Sequence, residues 1–406
     1  MKILVLNSGS SSIKYALFDM QAHKALIIGV IESIAEQQSK HSYHYELNKQ
    51  QQEQQISVPI VDHQQGLAAI FQVLSDLALI ANIADLFCIG HRVVYGGEQF
   101  CQPTLISAAV LAAIKQMVPL APLHNPANIT GIEAAMAYAQ GVPQVAVFDT
   151  AFHQSMPAYA YQYAVPQEWY IDKGVRRYGF HGTSHFYVAK QAAQHIGKPL
   201  AKLNMITLHL GNGASMTAIA AGESVDTTMG MTPLEGVMMG TRSGDLDPAI
   251  VFYLNRLGLS NAAIENALNK QSGLKGVCGV NDMRAVHAMA EAGDEAAQLA
   301  LAMYSYRIKK YIGAYFAVLG RVDALVFTGG IGEHDAWLRA SCCAELGVLG
   351  VALDQQKNAQ AQGQLTEINQ ADLAVKILVI ATNEELEIAQ QAELCVQENN
   401  EQGLIM

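Results

Sequence analysis

The sequence predicts an α/β protein built from two domains that resemble each other. The chain has 406 residues, which exceeds the length of a typical single domain of about 100–200 residues. Hydrophobic residues make up 51% of it, enough for sizeable cores. An apolar run, a turn of small residues and a second apolar run occur twice, at 2–18 and at 203–220. Such an internal repeat indicates two related structural units.

In the first half of the chain, continuous apolar runs predict strands, and apolar residues at helical spacing predict helices. The expected strands are 2–6, 13–18, 86–94 and 144–148, and the expected helices are 64–80, 107–118 and 128–138. Residues 21–63 are polar and are expected to be irregular. A glutamine-rich patch within 37–55 is most simply a solvated hairpin or loop.

The second half shows the same two patterns. The expected strands are 203–210, 216–220, 323–328 and 376–381, and the expected helices are 186–196, 296–319 and a last one that opens at 382–385. Thr183 or Ser184 is the candidate N-cap of helix 186–196. Residues 274–284 predict a loop, and Thr382 with Glu385 predicts a capping box.

Turns of small residues follow several predicted strands. The turn at 7–12 is longer and more polar than a plain hairpin, so its N–H groups could form an anion-binding concavity that Lys14 also reaches. A serine-rich hairpin is the alternative. The glycine-rich turns at 211–215 and 329–334 would likewise let a phosphate or a flat ligand approach the backbone.

Two charged residues stand at the ends of predicted strands. Arg92 lies shortly before the Gly96-Gly97 turn, and Asp149 directly follows strand 144–148. Ligands gather at the carboxyl ends of strands in open α/β sheets, so both positions are candidates for ligand contact. An ordinary strand-end cation and a turn-forming acid remain the alternatives.

The stretch 232–248, TPLEGVMMGTRSGDLDP, contains two prolines and is expected to be a shaped loop. Its one arginine, Arg242, stands among small and acidic residues, which suggests a clamp for an oxyanion. The alternative is a surface turn held by Asp245 or Asp247.

The composition argues against several kinds of partner. The net charge is −11 and no basic cluster occurs, which argues against a nucleic-acid surface. No apolar run reaches the roughly 18 residues of a membrane span, and the apolar N-terminus is too short for a secretory signal. The six cysteines show no CxxC and no regular framework. Reduced thiols and a cytoplasmic location are therefore expected.

The remaining chemistry favours phosphoryl transfer. The chain has no P-loop, no dinucleotide-binding fingerprint and no paired zinc-ligand spacing. It has glycine-rich turns, two loop arginines, Lys14, and the carboxylates of Asp149 and Glu384. Phosphoryl transfer requires positioning and positive charge more than covalent chemistry. Arginine binds carboxylate or phosphate through its planar fork, and magnesium needs only one or two carboxylates beside phosphates and waters.

Motifs along nearly the whole chain resemble those of the acetate and propionate kinase family. They are NSGSSSIK (7–14), HRVVYGGEQF (91–100), APLHNPAN (121–128), FDTAFHQSMP (148–157), YGFHGTSH (178–185), LGNGAS (210–215), the loop 232–248, TGGIGE (328–333) and TNEEL (382–386). Each is weak alone, but their common order makes coincidence implausible.

The resemblance implies the fold of the acetate and sugar kinase, chaperone ATPase and actin superfamily, with two ribonuclease-H-like domains and a cleft between them. The N-terminal domain would be 1–150, completed by helix 385–406, and the nucleotide-binding C-terminal domain would be 151–384. The implied activity is reversible, Mg²⁺-dependent transfer of the ATP γ-phosphoryl group to acetate, giving acetyl phosphate and ADP. Mn²⁺ is an alternative metal, and a homodimer is expected.

The resemblance also assigns roles to single residues. Asn7 and Glu384 would position the metal, and Lys14 would contact nucleotide phosphate. The catalytic and substrate-binding groups would be Arg92 and Arg242 on the carboxylate and the phosphoryl group, Asp149 orienting the attacking oxygen, His181 stabilising phosphoryl charge, and His124 beside them. ATP would contact His209, Leu210, Gly211, Asn212, Gly213, Asp282, Met283, Arg284, Gly330, Ile331, Gly332, Glu333 and His334.

The substrate pocket would be lined by Val94, Leu123, Phe180 and Pro233. Family members that prefer propionate tend to carry alanine at the position of Val94. One methylene is worth about 1–3 kcal/mol of discrimination, so we expect a preference for acetate with propionate tolerated. Tyr95, where the family usually has histidine, and His334, where it usually has asparagine, are departures. They bear on the nucleotide preference.

Three alternatives remain at this point. A propionate kinase or another short-chain acyl kinase would share all of these motifs. A sugar kinase would need a larger polar pocket and a general base for a hydroxyl group. A non-catalytic nucleotide switch, like actin, would need no clamp for a small acid.

Overall fold

The computed structural model describes residues 1–47, 50–122 and 124–403. They divide into two compact units, one formed by the described residues of 1–151 and those from 383 onward, and the other by 152–382. Leu123 and the first two residues of the glutamine-rich segment 48–55 lie outside the described residues. In the described part of the chain, no helix combines the length and the apolar character needed to cross a membrane.

The first unit contains an eight-stranded mixed sheet in the order β5-β4-β3-β2-β1-β6-β8-β7. Its strands are β1 (Lys2–Ser8), β2 (Ser12–Asp19), β3 (Lys24–Glu32), β4 (Ser39–Leu47), β5 (Gln50–Val58), β6 (Leu86–Val93), β7 (Thr104–Leu105) and β8 (Gln144–Phe148). Its first helices are α1 (His63–Asp76), α2 (Ala108–Gln116) and α3 (Asn125–Tyr138).

The second unit contains a six-stranded sheet in the order β11-β10-β9-β12-β14-β13. Its strands are β9 (Asn204–Leu210), β10 (Ala214–Ala220), β11 (Glu223–Thr227), β12 (Ala324–Thr328), β13 (Leu365–Glu367) and β14 (Lys376–Ile380). Its helices are α4 (Ala158–Tyr161), α5 (Gln167–Lys173), α6 (Gly182–Ile196), α7 (Ala249–Arg256), α8 (Asn261–Lys270), α9 (Gly273–Cys278), α10 (Met283–Glu291), α11 (Glu295–Leu319), α12 (Gly329–His334), α13 (Ala336–Cys343) and α14 (Gln355–Ala359).

The two sheets share one pairing scheme, as the internal repeat predicts. β1 pairs antiparallel with β2 and parallel with β6, and β6 pairs parallel with β8. In the second unit β9 pairs antiparallel with β10 and parallel with β12, and β12 pairs parallel with β14. The small-residue turns therefore connect equivalent strands in the two units.

The core of the first unit explains why β1 is apolar on both faces. Leu4 and Leu6 pack in one cluster with residues of α1, and Ile3 and Val5 pack in another with the last helix, α15 (Glu384–Glu401). A strand covered by helices on both faces loses the alternation of apolar and polar residues. Helix α15 thus belongs to the core of the first unit, and this packing fixes Glu384 at its N-terminus.

Four local expectations were wrong. Residues 21–63 are mostly regular, because β3, β4 and β5 form hairpins there. Residues 274–284 include α9. The N-cap of α6 is His181, which has a left-handed backbone and makes no side-chain cap bond. Asn383, not Thr382, caps α15 by accepting a hydrogen bond from the Leu386 N–H.

Candidate active site

In the first unit, the turn after β1 and the carboxyl ends of β6 and β8 carry a cluster of charged residues. Asn7 and Lys14 face each other across the β1–β2 pair. Arg92 lies near the end of β6 opposite Val147 of β8, and the Asp149 N–H donates to the Val93 carbonyl at 3.0 Å. Parallel pairing therefore sets the two charged side chains at the same edge of the sheet.

Arg92 binds both oxygens of Asp149. Its Nε lies 3.1 Å from each carboxylate oxygen, and its Nη2 lies 2.6 Å from Oδ2. The side chain of Asp149 is 2% exposed, and Arg92 Nη2 also lies 3.7 Å from Glu384 Oε2. One guanidinium thus contacts two carboxylates. If one of these carboxylates is displaced, the same guanidinium can bind the carboxylate of a ligand.

Burial dominates the ionisation of Glu384. Its pKa is raised because desolvation disfavours the charged form and Asp149 repels it, against the opposing pull of Arg92 and Lys14. The pKa of Arg92 is raised in spite of desolvation, because Asp149 and Glu384 favour its charged form.

A buried asparagine that sequence reasoning missed ties the ends of β1 and β6 together. Asn128 Nδ2 donates to the Ser8 carbonyl at 2.9 Å, and its Oδ1 accepts from the Val94 N–H at 3.1 Å. Val94 is half-buried directly after β6, whereas His124 is exposed at the N-cap of α3. The neighbouring Tyr95 is fully buried.

In the second unit, His181 and Arg242 converge on the glycine turn after β9. His181 adopts φ 57°, which is unusual for a residue with a side chain, and its ring stacks on His209 at 4.4 Å between centroids. A Cβ added at Gly213 would lie 2.5 Å from Arg242 Nη2 and 3.6 Å from His181 Cε1. Only glycine leaves room for this approach.

The nearby acids do not hold the guanidinium of Arg242. Its Nη1 donates to the Pro233 carbonyl at 2.7 Å, and no carboxylate lies within ion-pair distance in the described part of the chain. Asp245 instead accepts from the Gly236 N–H and the Tyr311 hydroxyl. Burial lowers the pKa of Arg242, which indicates a desolvated cation without a counter-ion.

A second arginine, missed in the sequence, holds the loop that carries Pro233. Arg177 Nη1 donates to the carbonyls of Thr227, Thr228 and Met229, and its Nη2 lies 2.6 Å from Glu235 Oε1. Glu235 stands two residues after Pro233. Contacts to backbone carbonyls leave no local motif, so the sequence did not indicate this role.

The expected nucleotide-binding residues lie in three adjoining segments of the second unit. The Gly240 N–H donates to the Asn212 carbonyl at 3.0 Å, and Asn281 Nδ2 lies 3.1 Å from Asn212 Oδ1. Gly329 packs so closely on β9 that an added Cβ would lie 2.7 Å from the Leu210 carbonyl oxygen. Through Asn281 and Gly329, these contacts bring the stretch His209–Gly213 next to the segments that begin at Asp282 and Gly330.

Three of these residues, Glu333, Asp282 and Arg284, already make side-chain contacts within the unit. Glu333 Oε1 accepts from the N–H groups of Gly329 and Thr382 at 3.0 and 3.2 Å. Asp282 caps α10 and binds Arg284 at 2.6 Å, and hydrogen bonds from Arg284 lower the pKa of Asp282 to about 2. Arg284 is 92% exposed and His334 is exposed at the end of α12, so both present their side chains to solvent.

The expected pocket residues fall in different parts of the chain. Val94 belongs to the first unit, Phe180 and Pro233 belong to the second, and Leu123 lies outside the described residues. Phe180 is buried, and its carbonyl accepts from His153 Nε2 at 2.9 Å. Pro233 is half-buried and is fixed by its contact with Arg242.

The fold and these clusters define a class of protein: two related α/β sheets whose strand ends carry anion-binding and nucleotide-binding candidates. A family model described as the Acetokinase family matches residues 2–390. Over 394 residues the chain is 52% identical to a protein named acetate kinase from Nitratidesulfovibrio vulgaris (strain DP4), covering 96% of this chain and 98% of the relative. The chain belongs to the acetokinase family.

Two solved structures agree with this assignment. The crystal structure of Porphyromonas gingivalis acetate kinase matches with a TM-score of 0.92 and 41% identity, covering 97% of this chain and 99% of that one. A propionate kinase from Francisella tularensis matches with a TM-score of 0.88 and 44% identity, covering 96% and 98%. The resemblance seen in the motifs and the fold class that it implies are confirmed.

Proposed function

We propose that this chain catalyses the reversible transfer of the γ-phosphoryl group of ATP to the carboxylate of acetate, giving acetyl phosphate and ADP. One observation carries the proposal beyond family membership: among the described residues, Arg242 is a desolvated cation with no carboxylate within ion-pair distance, and it lies with His181 at the glycine turn around Gly213. Such a group stabilises a small, highly charged anion, and stabilising charge on the transferring group is most of what a phosphotransferase does.

The carboxylate acceptor would bind at Arg92. The guanidinium of Arg92 already binds the carboxylate of Asp149, and the carboxylate of Glu384 lies 3.7 Å from it. Acetate would accept hydrogen bonds from the N–H groups of Arg92 that do not bind Asp149. Asp149 would fix the orientation of the guanidinium and of the attacking oxygen. A carboxylate is already a competent nucleophile, so no general base is required and Asp149 acts by orientation.

The phosphate groups would be bound by the second unit together with Lys14. Backbone N–H groups of the turn 211–213 and the side chains of Arg242 and His181 would meet the γ-phosphoryl group. The segments Asp282–Arg284 and Gly330–His334 would hold the rest of the nucleotide. His124, exposed at the start of α3, would contact the same substrates.

The first unit offers a suitable set of ligands for Mg²⁺. Asn7 and Glu384 carry hard oxygen donors, and Glu384 is a half-buried carboxylate whose pKa is raised by desolvation. The described residues contain no group of three or more His, Cys, Asp or Glu side chains around one point. That suits a phosphate-bound metal, which takes only one or two protein carboxylates. When bound, Mg²⁺ would neutralise phosphate charge. Mn²⁺ would fit the same donors.

We also propose a homodimer in the cytoplasm. Helix α7 leaves the large side chains of Phe252 and Tyr253 64% and 55% exposed, and Leu257 just beyond it 61% exposed. A second copy would cover this face. All six cysteines are free thiols, as in reducing compartments. Sedimentation that gives a monomer at micromolar concentration would contradict the dimer.

The decisive experiment is a hydroxamate trap with ATP, Mg²⁺ and formate, acetate, propionate or butyrate as acceptor. Only an acyl phosphate reacts with hydroxylamine, so a sugar kinase or a nucleotide switch gives no signal. We expect the highest kcat/KM with acetate and measurable activity with propionate. No signal with any of the acids would refute the proposal, and a preference for propionate would favour the propionate kinase alternative.

A further inference from the structure

Behind His181 lies a chain of buried hydrogen bonds that the proposed reaction does not itself require. His181 Nδ1 lies 2.9 Å from Ser215 Oγ, and the same oxygen lies 2.7 Å from His185 Nε2. His185 Nδ1 lies 2.7 Å from Thr207 Oγ1. Ser215, His185 and Thr207 are fully buried, on β10, α6 and β9 respectively.

We propose that Thr207, His185 and Ser215 are positioning residues that fix His181 as a neutral imidazole with its proton on Nε2. This inference rests on the proposed function, because it specifies what His181 offers to the phosphoryl group. His181 would then act as an uncharged N–H donor, and the positive charge in this unit would come from Arg242.

Counting hydrogens gives the chain its direction. A hydroxyl group carries one hydrogen, and a neutral imidazole carries one N–H and one acceptor nitrogen. If Thr207 donates to His185 Nδ1, then His185 Nε2–H donates to Ser215, and Ser215 donates to His181 Nδ1. Every hydrogen of the chain is then used, and the proton of His181 must stand on Nε2.

If the hydrogen bonds ran in the reverse direction, the buried Thr207 hydroxyl would have no acceptor for its hydrogen among the described side chains. His181 Nδ1–H would donate to Ser215, Ser215 to His185 Nε2, and His185 Nδ1–H to Thr207 Oγ1. The Thr207 hydroxyl would then have to donate to another acceptor. Among the described residues, however, His185 is the one side-chain hydrogen-bond partner of Thr207. Folded proteins rarely leave a buried hydroxyl donor without an acceptor.

A doubly protonated His185 would donate from both ring nitrogens and would no longer fix the direction of the hydrogen bonds. The surroundings of His185 oppose that state. Burial lowers the pKa of His185 well below its usual range, and the nearby rings of His153 and His209 lower it further. Their centroids lie 5.9 and 6.3 Å from that of His185. His185 is therefore neutral, so one of its ring nitrogens donates a hydrogen bond and the other accepts one.

The same logic opposes protonation of His181. An imidazolium has N–H on both nitrogens, so Nδ1 would become a donor and the chain would have to reverse. The groups that face His181 add to this: the ring of His209 stacks on it and the cation of Arg242 lies beside Gly213 at the same turn. We therefore expect His181 to stay neutral across the working pH range.

The tautomer can be measured directly, without relying on turnover. In ¹⁵N-histidine-labelled protein, the nitrogen shifts separate the Nε2–H form, the Nδ1–H form and the imidazolium, and the signals of His181 are those missing from His181→Asn. We expect the Nε2–H form from pH 8 to pH 5.5. An Nδ1–H form, or an imidazolium at pH 7, would overturn the proposal whether or not the protein makes acetyl phosphate.

Two variants test the chain, with a matched control. Ser215→Ala removes the link and Thr207→Val removes the origin of its direction, so both should give mixed tautomers and a His181 that titrates above pH 5.5. We expect kcat to fall about tenfold or more, as when the partner that orients a functional side chain is removed, with KM for ATP little changed. The fall should deepen at low pH.

The control is Thr217→Ala. Thr217 is a fully buried hydroxyl on the same strand, bonded at 2.9 Å to Thr227 and outside the chain. It reproduces the loss of a buried hydroxyl but should leave the His181 tautomer and the pH profile as in the wild type. If Ser215→Ala and Thr217→Ala give the same spectra and the same pH profile, the chain has only a structural role and the proposal fails.

Discussion

Arg92 and Asp149 form a bidentate pair in which the guanidinium contacts both carboxylate oxygens, the shortest distance being 2.6 Å. The pair is nearly closed to solvent on the carboxylate side, since the Asp149 side chain is 2% exposed. It joins the ends of β6 and β8, so the sheet itself holds the arginine that we assign to the acceptor carboxylate.

Asp149→Asn should separate orientation from proton transfer. Asparagine keeps the shape and one acceptor oxygen but loses the charge that aligns Arg92, so we expect kcat to fall by about 10²–10³. Because the acceptor needs no general base, the remaining activity should keep the wild-type pH profile. The measurement is kcat against pH in the hydroxamate assay, with Asp76→Asn, an exposed acid, as control. Loss of an acidic limb in Asp149→Asn would instead make Asp149 a base.

Arg242→Ala should remove turnover and spare nucleotide binding. The variant loses the cation beside His181 and Gly213, and we expect kcat to fall by about 10²–10³. Arg242→Lys should restore little, because a lysine cannot reproduce the planar fork that also donates to the Pro233 carbonyl. Calorimetry gives ATP affinity alongside the assay, and the exposed Arg256→Ala is the control. Unchanged turnover in Arg242→Ala would leave the nucleotide-switch alternative standing.

Much of this structure could be predicted from the sequence. Apolar runs such as Lys2–Ser8 and Ala324–Thr328 identify strands because both faces are covered, and the repeated strand–turn–strand unit predicted the shared pairing of the two sheets. β5 was missed because most of its residues are exposed on both faces of an edge strand, so no apolar pattern marks it. The N-cap of α6 was missed because His181 adopts a left-handed conformation that its residue type disfavours.

The residues of the candidate site also fall into two groups, those that a local sequence pattern identifies and those that it does not. Residues in glycine-rich turns and at strand ends, such as Arg92 and Gly213, leave a local pattern that indicates chemistry. Asn128, Arg177 and Ser215 act through partners that lie 30 to 120 positions away in the chain. No local pattern identifies such partners, and their roles emerge only from the fold.

Glu384→Gln should selectively weaken the binding of Mg²⁺. The amide keeps the size of the side chain at the N-terminus of α15 but removes the charge that attracts a divalent cation. We expect the Mg²⁺ concentration for half-maximal activity to rise about tenfold or more, with kcat partly recovered at high Mg²⁺. Titration of Mg²⁺ at saturating substrates measures it, with the neighbouring Glu385→Gln as control. An unchanged Mg²⁺ dependence would remove Glu384 from the metal site.

Val94→Ala should shift acceptor preference toward propionate. The substitution removes two methyl groups beside the proposed carboxylate site, and one methylene is worth about 1–3 kcal/mol of discrimination. We expect the ratio of kcat/KM for propionate over acetate to rise about tenfold. Acetate serves as the internal control, since its own kcat/KM should change less. An unchanged ratio would show that Val94 does not line the acceptor pocket.

The stability of the protein should fall at mildly acidic pH, in part because of His91. This histidine is buried on β6, its Nε2–H donates to Gln144 Oε1 at 2.7 Å, and burial lowers its pKa to about 4 from a usual value of 6.5. The unfolded chain therefore binds the proton first as the pH falls. The stabilisation from the neutral, buried ring is complete above pH 6.5 and is lost progressively toward pH 4. The difference corresponds to about 3 kcal/mol. In denaturant unfolding at pH 7 and at pH 4.5, His91→Gln should lose stability less steeply than the wild type, whatever its stability at pH 7. Parallel pH slopes for the two proteins would show that His91 does not titrate with folding.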